Sequence, residues 1–112
     1  MNEWSQDEIA EFFDNDSTGL VYFYTPICGT CKMAGKMLEV VERLFPSIDI
    51  GKADLNYLPA IAERFEIKSV PCLLLVNKGQ IEEKVFAFQS VPYLYEKINR
   101  ILLKSKTSTI SD

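Results

Sequence analysis

The sequence predicts an α/β fold, a central mixed sheet of four strands flanked by helices on both faces. Three observations carry this. Leu20–Tyr24 and Leu73–Val76 are continuous apolar runs, the pattern of strands covered on both sides. Leu20–Tyr24, an amphipathic helix and Ile48–Ala53 follow one another at the length of a βαβ unit, whose crossover is right-handed by default. Asn77-Lys78-Gly79-Gln80 is a tight turn, so the strand after it returns antiparallel as a hairpin.

Taken in order, Ser5-Gln6-Asp7-Glu8 has the form of a capping box ahead of Ile9, Phe12 and Phe13 at helical spacing, which places a first helix over Gln6–Phe13. Asp14–Gly19 is a polar turn that releases the first strand, Leu20–Tyr24. The next helix runs to about Phe45, where Pro46 halts it. On that helix Met33, Met37, Val40 and Leu44 share one face, with Ala34, Leu38, Val41 and Phe45 beside them, so Met33 and Met37 read as core filler. Pro59 suits the first turn of a short helix through Ile61, Ala62 and Phe65. After the strand Leu73–Val76, the hairpin partner spans Ile81–Phe88. Ser90 then caps a last helix that carries Val91, Leu94, Ile98, Ile101 and Leu102 inward. Residues 1–104 form one domain, and residues 105–112, polar and without periodicity, are expected to be a flexible tail.

Composition narrows the function. A net charge of −4 over 112 residues offers no basic footprint for nucleic acid or an anionic membrane surface. No apolar run is long enough to cross a bilayer, and the N-terminus lacks the basic and apolar regions of a secretory signal, so a cytoplasmic location is expected. The chain has no histidine, which removes Ser-His-Asp and Cys-His catalysis and the common zinc sites. It has three cysteines, and in a cytosolic chain a Cys-x-x-Cys pair reads as catalytic or metal-binding.

The pair is Cys28-Gly29-Thr30-Cys31, at the junction between a strand and a helix. Two residues between the thiols put both on one turn, so a reversible disulfide is geometrically possible. Unpaired N–H groups and the positive end of the helix dipole favour a thiolate at Cys28, making it the nucleophile, with Cys31 as resolver. A zinc site would need four ligands, which one further cysteine and no histidine do not supply. An iron–sulfur cluster bridging two chains would require Cys28, Cys31 and Cys72 to converge.

Together with Lys52, Asp54, Val70-Pro71 before an apolar strand and the Asn77-Lys78-Gly79 turn, the Cys28-to-Met33 segment resembles the thioredoxin family, over about Ser5–Leu103. The resemblance implies a thioredoxin fold, a cis Pro71 against the thiols and a Val70 backbone open to an extended substrate segment. It implies supporting roles for Gly29, Thr30 and Lys52, the lysine lying beneath the thiols and favouring thiolate. Ile27, Val70 and Phe86 would rim the substrate site, and Cys72 is either a small core residue or a modulating thiol.

Several positions depart from the family pattern. Ile27 replaces a tryptophan before the first cysteine, Tyr22 a buried carboxylate, and Thr30 a proline, while the helix proline is lost near Gly35 and Lys36. A phenol with a pKa near 10 is no base at neutral pH. With Thr30 in the motif, the expected potential is about −200 to −250 mV, less reducing than the roughly −270 mV of thioredoxin.

The function expected from these residues is a thiol:disulfide oxidoreductase, a protein-disulfide reductase without an organic cofactor, re-reduced by a flavoprotein disulfide reductase or a low-molecular-weight thiol. A second class is a thioredoxin-fold binding or regulatory protein dedicated to one partner. A third is metal-cluster assembly.

Overall fold

The computed structural model describes residues 1–104. The expected tail, 105–112, lies outside the described residues. Five strands form one mixed sheet in the order β1-β3-β2-β4-β5, one strand more than the sequence predicts. The strands are β1 Asn2–Glu3, β2 Gly19–Tyr24, β3 Asp49–Asp54, β4 Cys72–Asn77 and β5 Gln80–Val85. β2 and β3 run parallel, as do β1 and β3; β4 is antiparallel to both β2 and β5. The additional strand is held by more than its two-residue ladder. Trp4 N–H donates to the Lys52 carbonyl at 2.7 Å, and the Trp4 indole occupies the space a side chain at Gly51 would fill.

The helices are α1 Gln6–Asp14, α2 Gly29–Leu44, α3 Pro59–Arg64 and α4 Val91–Ile98, the last continuing into a π-helical turn, Asn99–Lys104. Both serine caps form as the sequence implies. Ser5 Oγ accepts from Glu8 N–H while Glu8 accepts from Ser5 N–H, and Ser90 Oγ accepts from Tyr93 N–H. Each such cap is worth about 1 kcal/mol.

Alternation along the strands divides the core in two. Leu20, Tyr22, Leu73 and Leu75 face α2 and α4, meeting Ala34, Leu38, Val41, Leu94 and Ile98. Val21, Phe23, Cys72, Leu74 and Val76 face the other way, onto Ile9, Phe12, Phe13 and Ile61 of α1 and α3. Every residue of β2 from Gly19 to Phe23 is buried, as a strand covered on both faces requires.

Helix α2 corrects one expectation. Its buried line is Cys31, Ala34, Leu38 and Val41, whereas Met33 is 62% exposed and Met37 only partly buried. An apolar stripe this broad is wider than a sheet face can cover, so its methionine edge is left at the surface. The hairpin partner also stops short, at Val85 instead of Phe88. Phe86 and Ala87 lie beyond the strand and exposed.

Candidate active site

Strand β2 ends at Tyr24, and the chain turns through Thr25-Pro26-Ile27 into α2. Cys28 is the N-cap of that helix and accepts the Cys31 N–H on its sulfur at 3.1 Å. Cys28 and Cys31 are joined as a disulfide, with Cα atoms 5.2 Å apart. Their environments differ. Cys28 is half-buried and Cys31 is 3% exposed. The Thr30 hydroxyl lies 3.3 Å from Cys28 Sγ and, because the disulfide sulfur has no proton, is the donor of that contact.

Across from the disulfide the Val70–Pro71 peptide is cis, with the Val70 carbonyl oxygen 4.0 Å from Cys28 Sγ. Pro71 also lines a groove of about 410 Å³ with Gly29, Thr30, Met33, Met37 and Phe86. Ile27, immediately before Cys28, is 94% exposed.

On the opposite side of the helix start is a second cavity of about 420 Å³, lined by Cys31, Tyr22, Tyr24, Gly35, Lys36 and Lys52. Lys52 is directly opposite Tyr22 in the β2–β3 ladder, and its ammonium lies 5.8 Å from the centre of the Tyr24 ring. Lys52 and Cys31 thus line the same cavity. The Tyr22 hydroxyl, where the family pattern calls for a carboxylate, donates to the Cys31 carbonyl at 2.5 Å. Burial pushes the Tyr22 phenol up to about 12, so it stays protonated at neutral pH.

Cys72 is elsewhere. Its side chain sits fully buried among Ile9, Phe23 and Ile61, on the sheet face away from α2, and burial pushes its thiol up to about 12. The three thiols do not converge, and among the described residues no group of three or more His, Cys, Asp or Glu is placed to hold a metal ion.

Residues 2–100 match the family model described as Thioredoxin. The chain belongs to the thioredoxin family. It is 41% identical to the thioredoxin-like protein YusE of Bacillus subtilis (strain 168) over 111 residues, covering 99% of this chain and 98% of that one. It is 34% identical to thioredoxin-1 of Saccharomyces cerevisiae over 85 residues, 72% of this chain and 82% of the yeast protein. In fold it is similar to oxidised mitochondrial thioredoxin 3 of Saccharomyces cerevisiae, with a TM-score of 0.79, 22% identity, and coverage of 90% of this chain and 95% of that one. Membership of the thioredoxin family, with a dithiol pair at the head of α2, makes the protein a thiol-disulfide oxidoreductase.

Three features of the site escaped the sequence reading: the methionine wall of the groove, the contribution of Tyr24 to the rear cavity, and Gly35 as the helix residue packed beside the Tyr22 phenol. The third had a signal, since a glycine inside a helix costs about 1 kcal/mol against alanine and calls for a packing reason.

Proposed function

We propose that the protein reduces disulfides in protein substrates in the cytoplasm, through a mixed disulfide on Cys28. The asymmetry of the two sulfurs carries this reading: Cys28 is within reach of a visiting disulfide at the helix N-cap, and Cys31 is 3% exposed beneath it. Cys28 thiolate attacks one sulfur of the substrate disulfide, and the other substrate sulfur leaves as a thiolate. Cys31 then attacks Cys28, forming the Cys28–Cys31 bond and releasing the second substrate thiol. A flavoprotein disulfide reductase or a low-molecular-weight thiol returns two electrons to the pair. The substrate segment lies along Val70 and Pro71, with Ile27 and Phe86 at its rim; Gly29, Thr30 and Lys52 support the thiols. The placement of Cys72 in apolar surroundings favours a packing role over a modulating one.

Replacing Cys31 with serine in the full chain removes the resolver, so a mixed disulfide on Cys28 is expected to accumulate and to carry its substrate into mass spectrometry. A Cys28→Ser variant that kept full disulfide-reducing activity would overturn the assignment. The second reading, a protein dedicated to one partner, is favoured by the exposure of Ile27 and Phe86, 94% and 41%. Insulin reduction with a generic reductase separates the two, because a dedicated protein turns insulin over poorly.

A further inference from the structure

Tyr22 is 2% exposed, and its phenol O–H is spent on the carbonyl of Cys31, a backbone group in the first turn of α2. The ring is held on other sides by Tyr24, at 5.8 Å between centroids, and by Phe88, at 5.9 Å. A Cβ on residue 35 would stand 3.9 Å from the ring and from the hydroxyl, in ordinary van der Waals contact, so a methyl would be accommodated and only the further carbons of a larger side chain would compete with the phenol for room. The protonated phenol faces the resolving cysteine as a fixed donor, where it can hold the helix start but take no proton.

We propose that Tyr22 is the positioning residue of the resolving step, anchoring the turn that carries Cys31, and that Cys31 gives its proton to solvent in the rear cavity and not to a protein base. The proposal rests on the mixed-disulfide reading above. In this step the Cys31 thiol loses its proton to solvent, and the sulfur electron pair attacks Cys28 Sγ. The Cys28–Cys31 bond forms, the bond from Cys28 to the substrate breaks, and its electron pair leaves on the substrate sulfur.

The titratable residues that line the rear cavity with Cys31 are Tyr22 and Tyr24 of β2, Lys52 of β3, and Lys32, Lys36 and Glu39 of α2; the Glu3 carboxylate of β1 accepts from the Tyr24 hydroxyl at 2.8 Å and is not part of that lining. The Met1 amino group also borders the cavity and pairs with Glu42 at 3.2 Å. Glu39 is the carboxylate among the cavity's lining residues, and it stands two helical turns from Cys31, roughly 12 Å along the axis. It is too distant to accept the proton directly.

Rapid mixing of the reduced full chain with dithiobis(nitrobenzoate) separates the steps, since attack by Cys28 releases one coloured thiolate and resolution by Cys31 releases another. Tyr22→Phe is expected to leave the first phase unchanged and slow the second about fivefold, the worth of one neutral hydrogen bond. The second phase of the unaltered protein should rise with pH through a single ionisation, and Glu39→Gln should leave it so. Gly35→Leu, which crowds the phenol off the carbonyl, should reproduce the slowing and stands in should Tyr22→Phe fail to fold. An unaltered second phase in Tyr22→Phe, or a second ionisation that disappears in Glu39→Gln, would overturn the proposal. A first phase that persists in Cys28→Ser would instead refute the mixed-disulfide reading, and the inference with it.

Discussion

The start of α2 separates two recesses of nearly equal size, both largely apolar, of which the one on the Lys52 side carries the more polar groups. The groove on the Pro71 side, about 410 Å³, has a wall of Met33, Met37, Phe86 and Phe88. The cavity on the Lys52 side, about 420 Å³, is built from two phenols and the lysines Lys32, Lys36 and Lys52 around Cys31. Soft thioether and aromatic surface suits a docking protein, because methionine adapts to irregular shapes. Hydroxyl and ammonium groups suit the management of protons and charge. Cys31 lines the cavity on the Lys52 side, Gly29 and Thr30 beside Cys28 line the groove, and Cys72 is buried on the far face of the sheet.

The largest expected effect concerns how tightly the buried groups are closed off. Burial raises the folded pKa of Cys72 from 9.0 to about 12, and that of Tyr22 from 10.0 to about 12. Above pH 9 the unfolded thiol gives up its proton while the folded one keeps it, so stability falls with rising pH, by about 1.4 kcal/mol per unit for each such group. Tyr22 adds its share above pH 10. Urea titrations between pH 8 and 12 should show this loss, and Cys72→Ala should flatten the part that begins near pH 9. A flat profile in the unaltered protein would mean that solvent reaches both groups.

Next in size is the groove. Met33→Glu or Phe86→Asp places a charge in its apolar wall and should lower kcat/KM for a protein disulfide about tenfold, on the order of 1.4 kcal/mol, while the first phase with dithiobis(nitrobenzoate) stays the same. Equal losses with both substrates would place these side chains in the chemistry and abolish the division of labour.

The smallest effect belongs to Lys52. Removing one partly exposed ammonium near Cys31 is worth no more than about 1 kcal/mol, so Lys52→Gln should slow the resolving phase two- to threefold, less so at high salt. A loss confined to the first phase would assign the lysine to Cys28 instead.

Much of this was legible in the residues themselves. The fully apolar segments at Leu20 and Leu73 gave the central strands, because a strand buried on both faces has no polar side to show. Ser5 and Ser90 marked helix starts through their side-chain oxygens, and the cysteine spacing with Val70-Pro71 marked the site. What escaped was set by tertiary contacts. β1 is two exposed residues without any period, fixed by the packing of Trp4 on Gly51. The fate of Met33 depended on which edge of a broad stripe the sheet would cover, and helical spacing alone ranks the edges equally. Tyr22 could be recognised as a missing base, but its role as a donor required knowing that the fold brings its hydroxyl to the Cys31 carbonyl.

Trp4 is the chain's single tryptophan. Its ring is over Gly51 and 5.1 Å from that of Phe12, with the α1 and α3 side of the core. With no indole next to Cys28, intrinsic fluorescence should be nearly blind to oxidation of the pair and should report on the docking of the first strand. Emission then becomes a clean optical gauge of edge unzipping, readable in either redox state.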